Sequence, residues 1–140
     1  MREFYKRKTS ETRYDHMTPL MIKQPRKSPK LRGRAAEVRG VIPFLVEFAA
    51  RYSDVGGTEG TALHATRELA ACYDCLSQAN YNPRELAGHC RKFCIFYQAL
   101  RTIYMEEDPL LWKIKPKFHL FQELVGPCGR KNIIVKMRPH

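Results

Sequence analysis

The sequence lacks a long apolar run, a recognisable catalytic motif and, apart from Trp112, tryptophan. A membrane-spanning helix needs about 20 mostly apolar residues, and we expect none because no run approaches that length. The N-terminal stretch has no apolar segment of the kind found in secretory signals. It is rich in Arg, Ser and Thr, so a mitochondrial targeting segment stays open, although Pro19, Pro25 and Pro29 would break a long helix there.

Several residue types that often carry chemistry are present without the arrangement that the chemistry requires. Neither His64 nor His119 has a recognisable Ser, Cys or Asp partner in the sequence. The glycines at 56, 57 and 60 are not followed by the Lys-Ser/Thr of a phosphate-binding loop. The contiguous acids at 106–108 are not the separated carboxylates that two-metal phosphoryl transfer needs. We therefore expect a protein that is not an enzyme and that uses no cofactor.

Five cysteines, an odd number without a secretion signal, indicate reduced thiols in a nuclear, cytosolic or organelle compartment. Cys72 and Cys75, with His89, Cys90 and Cys94, have a spacing that suggests zinc ligands. On two antiparallel helices joined near residue 80, however, Cys72 lies opposite His89 and Cys90, whereas Cys75 and Cys94 are about 10 Å apart along the axis. We expect no metal site, while structural zinc and a reversible Cys72–Cys90 disulfide stay open as alternatives.

The formal charge of +11 is concentrated at the two ends of the chain. Residues 1–33 carry ten Lys and Arg against three acids, and residues 126–140 carry four cations and no acid. The middle, residues 34–125, has eleven charges of each sign and is neutral. This layout predicts an extended or disordered basic arm at 1–33, a helical bundle domain at 34–125 and a basic tail at 126–140.

Hydrophobic periodicity predicts an all-α fold, with three main amphipathic helices plus a short fourth helix in a small bundle. The first helix is expected over 34–52, and Pro43 should kink or restart it. Its apolar stripe is Val38, Val41, Ile42, Phe44, Leu45, Phe48 and Ala49. The second is expected from Thr58 or Thr61, either a good N-cap, to about Ser77. Its apolar face is predicted as Ala62, Thr66, Leu69, Tyr73 and Leu76.

The third helix has the clearest sequence signals. Asn82, Pro83 and Glu85 supply an N-cap, a proline at the first helical position and a capping-box acid, and the acids at 106–108 favour a stop. Its apolar stripe is Leu86, Cys90, Phe93, Tyr97, Leu100 and Tyr104, and we expect Phe93 and Tyr97 to be almost fully buried.

The last helix is expected to start at Pro116 and to end before Gly126. The residues predicted on its apolar face are Leu120, Phe121, Leu124 and Val125. Trp112 and Ile114 precede it on an extended arm, so we expect Trp112 to close the open side of the bundle.

A basic chain with a neutral domain predicts a polyanionic partner, and nucleic acid, DNA or RNA, is the first hypothesis. The candidate phosphate-contacting residues are Lys6, Arg7, Lys8, Lys23, Arg26, Lys27, Lys30, Arg32 and Arg34 in and beside the arm, and Lys113, Lys115 and Lys117 in a basic ridge. The basic clusters also predict nuclear import, with mitochondria as the alternative location. The alternative function is a scaffold or assembly subunit that binds acidic protein surfaces through the arms.

Two short motifs support a resemblance. Arg39-Gly-Val-Ile-Pro-Phe-Leu45, followed by helices and then by Trp112-Lys-Ile-Lys-Pro-Lys-Phe-His-Leu120, is similar to the late helical region of eukaryotic mobile-element-derived, transposase-like proteins. The similarity covers residues 34–125. It implies a truncated helical module without nuclease activity, because the acidic residues of such a nuclease core would lie outside this stretch.

Overall fold

A computed structural model describes residues 3–4, 18–22, 25–31, 35–54 and 56–125 of the chain. Within these residues there are four main helices and no strand, which confirms the all-α bundle. The helices are α1 (Ala35–Tyr52), α2 (Thr58–Cys75), α3 (Pro83–Tyr104) and α4 (Pro116–Val125), preceded by a one-turn helix at Pro19–Ile22. None of the helices in the described part of the chain is both long and apolar enough to span a bilayer.

The centre of the fold is an antiparallel pair made by α2 and α3, which share the most extensive helix–helix contact. Contacts along the pair run in opposite directions: Thr58 meets Tyr104, and Cys72 meets Cys90. Helix α1 packs on α2, and α4 makes a smaller contact with α3. The short connection between residues 75 and 83 leaves little choice of geometry, so the predicted antiparallel return is confirmed.

Local hydrogen bonds begin α3 where the sequence predicts. The Asn82 side-chain oxygen accepts the backbone N–H groups of Arg84 and Glu85 at 3.1 and 3.3 Å. Pro83 occupies the first turn, where its missing N–H removes no helical hydrogen bond. The start and the N-cap of α3 are therefore confirmed.

Helix α2 begins at Thr58, one of the two predicted starts, but its N-cap differs from the prediction. Its N-cap is Gly57, whose position carries no side-chain cap, whereas Thr58 is already helical. The Glu59 carboxylate reaches back to accept the Asp54 N–H at 3.1 Å and so fixes the entry into the helix. Neither threonine is the N-cap, because this acid already ties the preceding turn to the first turn of α2.

Helix α1 runs without interruption through Pro43, so it does not restart there. Val41 and Ile42 are buried, at 0% and 5% exposure, while Pro43 faces solvent. Leu45 and Phe48, which the sequence places on the apolar face, are exposed at 37% and 52%. A helix packed on one neighbour buries only a stripe about 100° wide, and the predicted stripe was wider than that.

The prediction of the buried face of α2 was wrong, because the most buried residues of the helix are not those that were predicted. Leu76 is 49% exposed, and the other four predicted residues are only half-buried. The buried residues are Gly60, Leu63, Ala65, Cys72 and Cys75. At 3.6 residues per turn, Gly60 and Cys75 lie on the side opposite the predicted face, whereas Leu63 flanks that face on one side and Ala65 and Cys72 flank it on the other. Because α2 lies between α1 and α3, both of its sides have a neighbour.

Phe93 and Tyr97 are half-buried rather than almost fully buried, so this prediction was also wrong. They form an aromatic seam with Trp112, Phe118 and Phe121, in which neighbouring ring centroids lie 5.1 to 6.1 Å apart. The Tyr97 hydroxyl donates to the Lys113 carbonyl at 3.1 Å. Cys94, one residue from Phe93, is buried at 4% exposure because it lies nearer the contact with α2.

Helix α4 starts at Pro116 as predicted, but it turns a different face to the bundle. Phe118 and Phe121 contact α3, whereas Leu120 is 59% exposed. The side chains of Leu124 and Val125 lie outside the described residues. Trp112 packs edge-on against Tyr97, 5.4 Å between centroids, and its buried Nε1 has no hydrogen-bond partner among the described residues.

Candidate functional site

Part of the basic N-terminal arm forms a small closed loop. The Lys30 N–H donates to the Ile22 carbonyl at 2.8 Å, and residues 25–27 form the turn between them. Arg26, Lys27 and Lys30 all expose their side chains on this loop. Three of the predicted phosphate-contacting residues are thus held on one short segment and face solvent.

Arg26 has a φ of 58°, which is the left-handed region that non-glycine residues rarely adopt. It follows Pro25, and a proline before a residue of positive φ is the pattern of a type II turn. The conformation costs roughly 1 kcal/mol for a residue with a Cβ. Such strain concentrates at functional sites, and here the turn holds the backbone of an exposed arginine in this conformation.

The ridge residues Lys113, Lys115 and Lys117 are all exposed. Lys113 and Lys115 lie in the segment before α4, and Lys117 is its second residue. The hydrogen bond from Tyr97 to the Lys113 carbonyl anchors this segment to α3. The segment that carries the ridge is therefore attached to the folded domain.

The other predicted contact residues lie outside the described part of the chain. These are Lys6, Arg7, Lys8, Lys23, Arg32 and Arg34. Only the arm loop and the ridge can therefore be placed in the fold.

A third basic surface was missed by the sequence reasoning. Arg84, Arg91 and Lys92 are exposed on the side of α3 that faces away from α2. Arg84 and Arg91 are seven residues apart, so they lie on one face of the helix, and Gly88 between them has nothing within 4 Å of a Cβ position. The same periodicity that revealed the apolar stripe of α3 could have revealed this opposite face.

Four buried thiols line the α2–α3 interface: Cys72, Cys75, Cys90 and Cys94. Cys72, Cys75 and Cys90 pack with Leu86 in one cluster, and Phe121 of α4 packs against it. The Sγ atoms of Cys72 and Cys90 are 3.4 Å apart, which is sulfur–sulfur hydrogen-bond contact. The thiol cluster thus lies where all three of the last helices meet.

The contact between the two sulfur atoms shifts the pKa values of Cys72 and Cys90 in opposite directions. The hydrogen bond from Cys72 lowers the pKa of Cys90, although burial opposes this effect. The same bond, together with burial, raises the pKa of Cys72 above its ordinary value. Burial raises the pKa of Cys94 to about 11, and burial together with Glu85 and Asp74 raises the pKa of Cys75.

His89, beside Cys90, points to a carboxylate rather than to the thiols. Its Nδ1 donates to Glu68 Oε2 at 2.6 Å, and this pair bridges α2 and α3. In the part of the chain that is described, no three His, Cys, Asp or Glu side chains converge into a metal-binding group. The zinc alternative gains no geometric support there, whereas the sulfur pair fits the disulfide alternative.

Comparisons with protein-family models, with curated proteins and with solved structures found no match for this chain. The resemblance of residues 34–125 to mobile-element-derived proteins therefore stays a prediction.

Proposed function

We propose that this protein is a small, non-catalytic nucleic-acid-associated protein that contacts the phosphate backbone through its basic arms. It acts alone or as a subunit of a larger ribonucleoprotein. The observation that carries the proposal is the charge layout: the termini hold the whole excess of +11, and residues 34–125 are neutral. A nuclear location fits this function, and a fluorescent fusion with and without residues 1–33 would test it.

The exposed cations of the arm have the chemistry that backbone binding requires. Lys and Arg neutralise phosphates and release condensed counterions, which gives affinity with little dependence on base sequence. The closed loop presents Arg26, Lys27 and Lys30 together, and the turn lowers the entropy that they lose on binding.

The test compares three charge-reversal variants, one for each basic surface. The arm variant changes Arg26, Lys27, Lys30 and Arg32 to Glu, the ridge variant changes Lys113, Lys115 and Lys117, and the α3 variant changes Arg84, Arg91 and Lys92. Each is titrated against labelled duplex DNA and labelled single-stranded RNA at two salt concentrations. Circular dichroism confirms that each variant keeps its helices.

For the wild-type protein, we expect the logarithm of affinity for duplex DNA to fall with the logarithm of salt at a slope of about −4, corresponding to about five phosphate contacts. The arm variant should lose most of the affinity and most of this slope, and the other two variants should keep both. If only the ridge variant or only the α3 variant lost affinity, nucleic-acid binding would be assigned to the folded domain and not to the arm. Absence of wild-type binding to either nucleic acid at moderate salt would refute the proposal.

A second candidate function is an assembly subunit that binds an acidic protein surface. Exposed apolar side chains on α1 favour a protein partner, since Phe48 and Tyr52 are 52% and 63% exposed and their rings lie 4.7 Å apart. Exposed aromatic residues are typical of protein interfaces. Under this function, Phe48→Ala with Tyr52→Ala would abolish co-purification of a protein partner, while nuclease treatment would leave it intact.

A further inference from the structure

The two sulfur atoms at the centre of the α2–α3 interface need only a small movement to bond. Cys72 Sγ and Cys90 Sγ are 3.4 Å apart, and a disulfide is about 2.05 Å long, so the atoms must approach by about 1.4 Å. The two residues are 18 positions apart and lie on different helices, so a bond between them would join α2 to α3. Cys75 and Cys94 lie about one turn along their helices from this pair.

The pair also contains the two chemical roles that thiol oxidation needs. A thiolate is the nucleophile in these reactions, and Cys90 has its pKa lowered by the hydrogen bond from Cys72. Cys72 keeps its proton, so it is the resolving thiol that is poised beside the nucleophile.

We propose that Cys72 and Cys90 are an oxidative modification site, at which a small hydroperoxide converts the two thiols into a disulfide between α2 and α3. This inference does not depend on nucleic-acid binding. The sulfur–sulfur distance and the position of the pair in the helix contact carry it.

The reaction balances in two steps. The Cys90 thiolate attacks the hydroperoxide, the O–O bond breaks, and Cys90 becomes a sulfenic acid while the oxidant leaves as an alcohol or as water after taking up the released proton. The Cys72 sulfur then attacks the Cys90 sulfur, the S–O bond breaks, and water leaves with the Cys72 proton. Two thiols lose two electrons in total, and the hydroperoxide gains them.

The burial of Cys72 and Cys90 limits the size of the oxidant that can reach them. Cys72 and Cys90 are only 4% and 2% exposed, so a bulky disulfide such as oxidised glutathione could reach them only if the helices opened. Cys75 and His89, the neighbours of the pair, line an open surface depression beside the α2–α3 connection. Because Cys75 packs in one cluster with Cys72 and Cys90, this depression lies next to the pair, on the side from which a molecule as small as hydrogen peroxide would approach.

The test treats the full-length reduced protein with hydrogen peroxide and counts thiols after denaturation. We expect the count to fall by two from the five in the sequence, and a thiol reductant should restore it. Trypsin separates Cys90 from Cys94, because cleavage after the Arg and Lys residues yields peptides 68–84, 85–91 and 93–101. We expect a non-reduced digest to contain peptide 68–84 joined to peptide 85–91.

Two matched variants identify which cysteine of peptide 68–84 takes part. Cys75→Ala should retain the joined peptides, whereas Cys72→Ala should lose them. If Cys72→Ala does not fold, the Cys75→Ala digest still decides, because Cys72 is then the only cysteine left in that peptide. Cys94→Ala should behave like the wild type.

Three results would overturn the proposal. The first is an unchanged thiol count in wild-type protein after peroxide treatment. The second is a bond between peptide 68–84 and peptide 93–101, or one that involves Cys128. The third is loss of the joined peptides in Cys75→Ala, since Cys75 and not Cys72 would then be the partner of Cys90.

Discussion

The α2–α3 interface and the aromatic seam share helix α3 but bury their side chains to different extents. The interface is built from small residues and Leu, and Ala65, Cys72, Ala87 and Cys90 are at most 5% exposed. The seam is built from large rings, yet Phe93, Tyr97, Trp112, Phe118 and Phe121 are all only half-buried.

The difference shows that burial depends on how closely two helices approach and less on how apolar a side chain is. Small side chains allow two helices to come near each other along their whole length, which excludes water from the contact. The short helix α4 covers only part of the large rings, so their outer edges stay in solvent. The two regions should therefore respond differently to mutation.

The largest effect is expected for Leu100→Ala, on the α2–α3 side of α3. Leu100 is 0% exposed, so the change leaves a cavity and should destabilise the protein by roughly 2–5 kcal/mol. Urea denaturation followed by circular dichroism measures this loss. Ile95→Ala is the control on the same helix, since Ile95 is 58% exposed and should change stability far less. Equal effects of the two changes would contradict the assignment of the buried face.

Phe93→Ala should cost less than its size suggests, because the ring is half-buried. We expect about 2 kcal/mol, below the 3–5 kcal/mol typical of a fully buried aromatic residue. The loss should appear mainly as release of α4, since Phe93 contacts Phe121 at 6.1 Å between centroids. Trp112 is the single tryptophan, so its fluorescence reports on the seam directly. If Phe93→Ala destabilised the protein more than Leu100→Ala, the proposed difference between the aromatic seam and the α2–α3 interface would be wrong.

Alkaline pH should weaken the α2–α3 interface through Cys94. Burial raises the pKa of this thiol from 9.0 to about 11 in the folded protein. The neutral thiol therefore contributes stability that is complete below pH 9 and is lost as the pH rises through 11. We expect the urea midpoint to fall over this range, and to fall less in Cys94→Ala. An identical pH dependence in the two proteins would show that this thiol is not responsible.

The smallest effect is expected for Tyr97→Phe in the seam. The change removes the hydroxyl that donates to the Lys113 carbonyl at 3.1 Å, and it leaves the ring packing in place. A loss of about 1 kcal/mol is expected for one such hydrogen bond. Tyr81→Phe, at an exposed tyrosine in the α2–α3 connection, is the control and should be nearly neutral. If Tyr97→Phe is also neutral, the hydrogen bond does not anchor the ridge segment.

The sequence alone determined the features that depend on local chemistry. Asn82 and Pro83 fix the start of α3, and Pro116 fixes the start of α4, because capping and the restricted φ of proline act within a few residues. The short connection near residue 80 places Cys72 opposite Cys90 by simple counting along two helices. The charged ends and the neutral middle follow from composition, and they are the basis of the proposed function.

The tertiary structure alone decided which faces are buried and how close the two sulfur atoms lie. Helix α2 has neighbours on two sides, so its hydrophobic pattern did not single out the side that carries Cys72 and Cys75. Leu120 is exposed and Phe118 is in contact because the angle at which α4 meets α3 is not encoded in either helix separately. Burial and the 3.4 Å sulfur contact arise from the packing of several elements at once, and a linear periodicity describes each element by itself.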